Sequence, residues 1–244
     1  MKHARLLAKT VCLSLLCLSV GTATLSAESR PDDKFNEKVR QYLLNNPEII
    51  LEAMELLGER EAERQMAERV SPVYDELIAM DTDLIIGNQN AKIKLIEFFD
   101  YRCAVCKSVV PTLETFVKAN PDVAIIKKHL PILTPSSERA SRYTLATNIV
   151  YGAENYGAMH KYLYETSRPL NEATFEKAAN ELGFDHTKIM AQYDADVITQ
   201  IINSNRDIAI ELEIRGTPAF LTPAKLKIGQ VDEKVLSELS GLTN

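Results

Sequence analysis

The stretch "LIEFFDYRCAVCKSVVP", residues 95–111, decides how the chain is read. A run of apolar residues leads into two cysteines three positions apart, Cys103 and Cys106, and then into a helical apolar pattern. A structural bridge, half of a metal site and a redox centre all fit two cysteines at this spacing. A bridge closing so small a loop would add little stability. A zinc site needs about four ligands, and His129, His160 and His186 form no recognisable ligand pair with the cysteines, so no metal is expected. Redox work remains. If Cys103 begins the helix, Cys106 lies one turn on along the same face, and the two sulfurs can bond across the turn. Cys103 would then sit where free backbone N–H groups and the helix dipole favour a thiolate, the nucleophile of disulfide exchange. Cys106, deeper in the helix, becomes the thiol that resolves a mixed disulfide.

Outward from this stretch the pattern is α/β. "DLIIGNQNAKIKLIEFF" holds two short apolar runs separated by a Gly-Asn turn signal, and both read as strands. Residues 92–99 lack polar alternation, which predicts a strand covered on both faces. "CAVCKSVVPTLETFVKAN" reads as a helix containing Pro111 and "DVAIIKKHLPIL" as a third strand, so strand, helix and strand form a crossover unit. Residues 135–212 are helical throughout, with Asn171 and Asp185 as caps. "TPAFLTPAKLKIG" gives two short strands joined at Thr222-Pro223, and "DEKVLSELS" a closing helix.

The 244 residues suffice for one sizeable domain and an extra segment, with 45% hydrophobic and 25% charged residues as in ordinary globular proteins. A net charge of -6 without a basic cluster argues against nucleic acid as a partner. The start carries Lys2, Arg5 and Lys9, an apolar stretch from Val11 to Val20, and small residues suited to cleavage after Ala23 or Ala27. Residues 1–27 therefore read as a secretory signal, too short in their apolar part to span a membrane. Cys12 and Cys17 fall inside it, so the exported chain would keep only Cys103 and Cys106, in an oxidising compartment.

Between the signal and the domain, residues 28–70 read as helical. Phe35, Val39, Tyr42 and Leu43 share one face, and a second helix starts at Asn46-Pro47-Glu48 with Asn46 as its cap. Ile49, Ile50, Ala53, Met54 and Leu57 continue the apolar stripe, whereas "GEREAERQMAER" is nearly all charge and reads as a solvated helix or linker. The apolar face of residues 35–57 needs a cover, either the main domain or copies of itself. Ser71-Pro72 can open another short helix, and the domain proper is expected over residues 71–244.

"EFFDYRCAVCK", Pro111 and "IRGTPAF" together resemble the DsbA-like branch of the thioredoxin superfamily, and the helical block at about 135–212 stands where that family carries its insertion. The resemblance implies a thioredoxin-like fold preceded by a helical segment, no cofactor, and thiol-disulfide exchange in the periplasm on cysteine-containing exported clients. It makes Cys103 the attacking and Cys106 the resolving thiol. Glu97 matches a buried acid that relays protons. Pro218 matches a cis-proline opposite the pair, with Thr217 before it offering backbone groups to a bound peptide. Ala104-Val105 departs from the Pro-His of the strongly oxidising DsbA enzymes, and Thr217 resembles the isomerases DsbC and DsbG. The leader "FNEKVRQYLLNNPEIILEAMELL" is similar to that of ScsC proteins, copper-stress members that trimerise through it. These likenesses imply a homo-oligomer through residues 33–57 and a disulfide isomerase or reductase served by a DsbD-type or ScsB-type membrane partner. The alternatives are a DsbA-like oxidase served by a DsbB-type protein, and a Cu(I)-binding protein, since soft thiolates suit that ion. His129 is expected to be a packed or surface imidazole, and "YGAENYGAMHKYLYE" to be core and surface of the helical block.

Overall fold

The computed structural model describes residues 31–78 and 83–242; the expected signal over residues 1–27 lies outside them. The chain divides after Met54 into two compact units. The first contains helix α1, Pro31–Asn45, and the start of α2, Glu48–Ile78. Asn46 separates the two helices but does not cap the second. Its side-chain amide instead donates to the Tyr42 carbonyl at the end of α1, which also accepts the Asn46 backbone N–H. Phe35, Val39, Tyr42, Ile50, Leu51 and Met54 are exposed.

The charged stretch after Gly58 is a continuous part of α2, held by Arg64 bonding Glu61 one turn back and Glu68 one turn on. No new helix opens at Ser71-Pro72. Pro72 lies inside α2 even though it removes a backbone donor, a defect worth about 3 kcal/mol. Packing offsets it, because Met66, Val70, Val73, Tyr74, Leu77 and Ile78 all join a core cluster against the sheet. Tyr74 also donates to the Lys94 carbonyl at 2.7 Å.

The sheet has the order β1-β3-β2-β4-β5. Its strands are β1 Leu84–Gly87, β2 Ile93–Phe99, β3 Val123–His129, β4 Ala219–Leu221 and β5 Leu226–Ile228. Strands β2 and β3 run parallel, joined by helix α3, Ala104–Ala119, as the crossover pattern predicts; the other pairings are antiparallel. Side chains alternate across this sheet. Ile96 and Phe98 of β2 and Ile126 of β3 pack toward α2 and α8, Asp196–Glu211. Leu95 and Ile125 pack toward α3 and the closing helix α9, Glu233–Ser240, while Phe99 meets the helical insertion. The strand is therefore buried on both sides.

The insertion comprises α4 Pro135–Tyr151, α5 Ala153–Glu165, α6 Glu172–Leu182, α7 His186–Met190 and α8. Asn171 and Asp185 cap α6 and α7, accepting from Thr174 N–H and Lys188 N–H respectively. Thr134 and Ser137 form a reciprocal cap on α4 that the sequence pattern did not reveal.

Candidate active site

Cys103 is the residue that caps α3, as the spacing predicts. Its sulfur accepts from the Cys106 N–H at 3.2 Å, so the start of the helix directs a backbone donor at the position a thiolate would occupy. Both cysteines carry free thiols. Cys103 is 6% exposed and Cys106 is fully buried. Burial pushes the Cys106 thiol far above its ordinary range, and its bond with Cys103 adds to the effect. The two thiols are thus unequal: one reaches the surface, and the other needs help to lose its proton.

Asp100 builds the loop that holds Cys103. One carboxylate oxygen accepts from Arg102 N–H at 2.7 Å, and the other accepts from Ile132 and Leu133 N–H at 2.9 and 3.0 Å. The chain after β3 is thereby tied to the chain before α3. Sequence reasoning missed Asp100, although an aspartate two residues before a loop N–H is a readable turn signal.

Across from the pair runs the loop before β4. The Thr217–Pro218 peptide bond is cis, and the Cys103 thiol donates to the Thr217 carbonyl at 3.1 Å. The structure therefore brings Cys103, Cys106, Thr217 and Pro218 together. Glu97 lies beneath them on β2, fully buried and ion-paired with Lys127 of β3 at 2.6 Å. Its second oxygen, Oε1, has no hydrogen-bond partner. Burial raises the pKa of Glu97 against the pull of Lys127, and the Glu97 charge in turn raises Cys106.

An aromatic shell closes the region. Lys127 Nζ stands 4.8 Å from the Phe99 ring centre and 5.2 Å from that of Tyr164. Tyr101 bonds His160 at 2.8 Å and Tyr156 bonds His129 at 2.6 Å. Burial holds His129 down to about 3 and lowers His160 as well, so both imidazoles are neutral. His129 is accordingly a packed imidazole. The tyrosine-rich segment of α5 is core and surface of the helical block, as read, but it supplies Tyr164 and His160 to this shell, which periodicity alone did not show.

A model of the DsbA-like thioredoxin domain matches residues 94–239, and one of the copper resistance protein ScsC N-terminal domain matches residues 33–64. The first covers more than half of the chain. The chain belongs to the DsbA-like thioredoxin family. Solved structures are similar to it. A thioredoxin-like oxidoreductase from Silicibacter pomeroyi is 28% identical with a TM-score of 0.64, covering 69% of this chain and 95% of its own. Proteus mirabilis ScsC in a transitional conformation is 28% identical with a TM-score of 0.63, covering 86% of this chain and 95% of its own. A curated relative, the Na(+)/H(+) antiporter NhaA of Herminiimonas arsenicoxydans, is 22% identical over 184 residues. That match takes in 74% of this chain, which spans only 28% of the antiporter's length. No helix among the described residues is long and apolar enough to cross a membrane. The two matches place the chain among DsbA- and ScsC-type proteins, a family of thiol-disulfide oxidoreductases.

Proposed function

We propose that the chain is a periplasmic disulfide isomerase and reductase that works as a homo-oligomer assembled through residues 33–57. The carrying observation is the leader: most of its apolar side chains are exposed, and it matches the N-terminal domain of ScsC proteins. An exposed stripe of this kind in a charged helical segment suits self-association, and several redox sites held together present a high effective concentration to one misfolded client. Thr217 before the proline and Ala104-Val105 between the cysteines support the same reading. Residues 1–27 would direct export and residues 71–244 would form the redox domain.

In this reading the Cys103 thiolate attacks one sulfur of a client disulfide. A Cys103–client bond forms, the client S–S bond breaks, and the second client sulfur leaves as a thiolate. For isomerisation another client thiolate attacks the mixed disulfide and returns Cys103 as a thiolate, with no net change in electrons. For reduction Glu97 takes the Cys106 proton, the Cys106 thiolate attacks the Cys103 sulfur, and the client leaves reduced. A DsbD-type or ScsB-type membrane dithiol then returns two electrons to the Cys103–Cys106 disulfide. The Thr217 carbonyl, opposite Cys103, is positioned to accept from the backbone of a bound client segment.

The test is equilibration of the cysteine pair against a glutathione series, beside refolding of scrambled ribonuclease by the same sample. A moderately oxidising potential with recovered ribonuclease activity is expected. A strongly oxidising potential, with rapid oxidation of reduced ribonuclease and no unscrambling, would instead make it a DsbA-like oxidase. Light scattering should show an oligomer that residues 33–57 are required to form, and a monomeric native protein would sink the assembly.

A further inference from the structure

Arg102, the residue before Cys103, lines a cavity of about 410 Å³ that the exchange chemistry does not use. Three segments form it. Arg102 comes from the loop before α3, Ser136 and Arg139 from the first turns of α4, and Ser167 and Asn171 from the connection between α5 and α6. Both guanidiniums are exposed, and neither makes an ion pair among the described residues. Glu138, next to Arg139 in sequence, is already engaged by Arg142 at 3.1 Å and Arg206 at 2.8 Å, so it does not neutralise its neighbour. Asp194 borders a separate cavity that Arg139 also lines, without an ion pair to it. The positive end of the α4 dipole adds to the field. In a chain of net charge -6, two unspent guanidiniums around one hollow, one of them on the residue before the nucleophile, form a local positive site.

Apolar side chains are also exposed on these segments. Val105, between the cysteines, is 37% exposed, and Ile132 and Leu133, tied to the active-site loop through Asp100, are 43% and 51% exposed. The segments joined to Cys103 through Arg102 and Asp100 thus offer both exposed apolar side chains and two arginines without ion pairs among the described residues.

We propose that this cavity is a subsite for an acidic side chain of the client, so that the enzyme favours cysteines flanked by aspartate or glutamate. The carboxylate enters between Arg102 and Arg139, with the Ser136 and Ser167 hydroxyls as further donors, while apolar client residues rest on Val105, Ile132 and Leu133. Arginine suits this task because its planar fork matches a carboxylate. The subsite rests on the redox role of Cys103, and it changes which client disulfides are attacked rather than the exchange itself.

The test uses the full reduced chain and three peptides, each carrying one cysteine in an activated mixed disulfide. They differ only in Asp, Asn or Lys beside that cysteine, and stopped-flow mixing at low and high salt gives the rate of attack by Cys103. At low salt the Asp peptide should react about three- to tenfold faster than the Asn peptide and the Lys peptide slower, with the spread collapsing at high salt. Arg139→Ser should remove most of the Asp advantage and leave the Asn rate unchanged, Arg139→Lys should retain part of it, and Arg139→Glu should invert the order. Equal Asp and Asn rates in the native protein, or an advantage that survives Arg102→Ser with Arg139→Ser, would overturn the subsite while leaving the redox reading intact. Absence of attack on every peptide would overturn both.

Discussion

Strand β3 carries two lysines side by side, Lys127 and Lys128, and each is buried against a carboxylate on its own side of the sheet. Lys127 meets Glu97 beneath the cysteines, at 2.6 Å, with both side chains at 0% exposure. Lys128 meets Asp83, just ahead of β1, at 2.5 Å, on the face that α2 covers. The chemistry of the two pairs is the same, but their neighbours are not. Glu97 keeps one unpartnered oxygen and acts electrostatically on Cys106, whereas Asp83 acts on Tyr156 and has no thiol near it. A buried pair is weak evidence of stabilisation, since desolvation costs several kcal/mol per ion and attraction returns little more than that. A pair retained on the redox face is therefore better explained by what it does to a proton than by what it adds to stability.

The largest effect should come from breaking either pair. Lys127→Met and Lys128→Met each leave a buried carboxylate without its partner and should cost about 3–5 kcal/mol in urea unfolding. The two variants should differ in function: only Lys127→Met should alter the pH profile of thiol exchange. Equal effects on exchange would erase the distinction between the faces.

Next is the pH dependence of stability. Burial lifts Asp83 to about 6 even though the Lys128 charge pulls the other way. The folded state then binds this proton more tightly than the unfolded chain, so stability is greatest below the ordinary carboxylate pKa near 4. It falls by about 3 kcal/mol as pH rises from 4 to 6 and is flat above. Asp83→Asn should abolish that slope, read as the difference between variant and native unfolding energies at several pH values. A slope unchanged in the variant would show that Asp83 is not the titrating group.

The asymmetry between the pairs also marks what the sequence could say. Cys103 at a helix start, the crossover unit and the caps at Asn171 and Asp185 are local patterns, written in residues a few positions apart. Glu97 and the Thr217-Pro218 loop were reachable only through a family likeness, because Glu97 lies on β2 and the loop runs into β4, strands that pairing brings together from distant positions. Lys127 and Lys128 look like a solvated basic pair in "IIKKHL", and nothing nearby announces Glu97 or Asp83 as partners. Pro72 misled for the opposite reason: it is a strong local helix signal, overruled by six apolar residues packing against a sheet that the local sequence does not contain.

A smaller effect separates the acids by kinetics. If Glu97 accepts the Cys106 proton, Glu97→Gln should slow resolution of a trapped Cys103 mixed disulfide by about tenfold near neutral pH, equivalent to about 1.4 kcal/mol of barrier. Asp83→Asn should leave that rate unchanged. Quenching the mixed disulfide with acid at timed intervals measures both, and a Glu97→Gln rate equal to native would remove the carboxylate from the proton path.

Two tyrosines in the same shell differ in turn, and the second carries the smallest expected effect. Tyr156 gives His129 its one hydrogen bond there, and the other ring nitrogen, Nδ1, already lacks a partner. Tyr156→Phe should cost about 1–3 kcal/mol by leaving a buried nitrogen unsatisfied. The Tyr164 hydroxyl is buried with no hydrogen bond, so Tyr164→Phe removes a desolvated group and strands nothing. Its stability should stay within about 0.5 kcal/mol of native or rise slightly. Tyr164 nonetheless stands over Lys127 and feels the charges of Glu97, Cys106 and Cys103. A Tyr164→Phe variant with unchanged stability and slower resolution would place that hydroxyl in the proton path with Glu97. Unchanged stability and unchanged resolution would confine the path to the carboxylate.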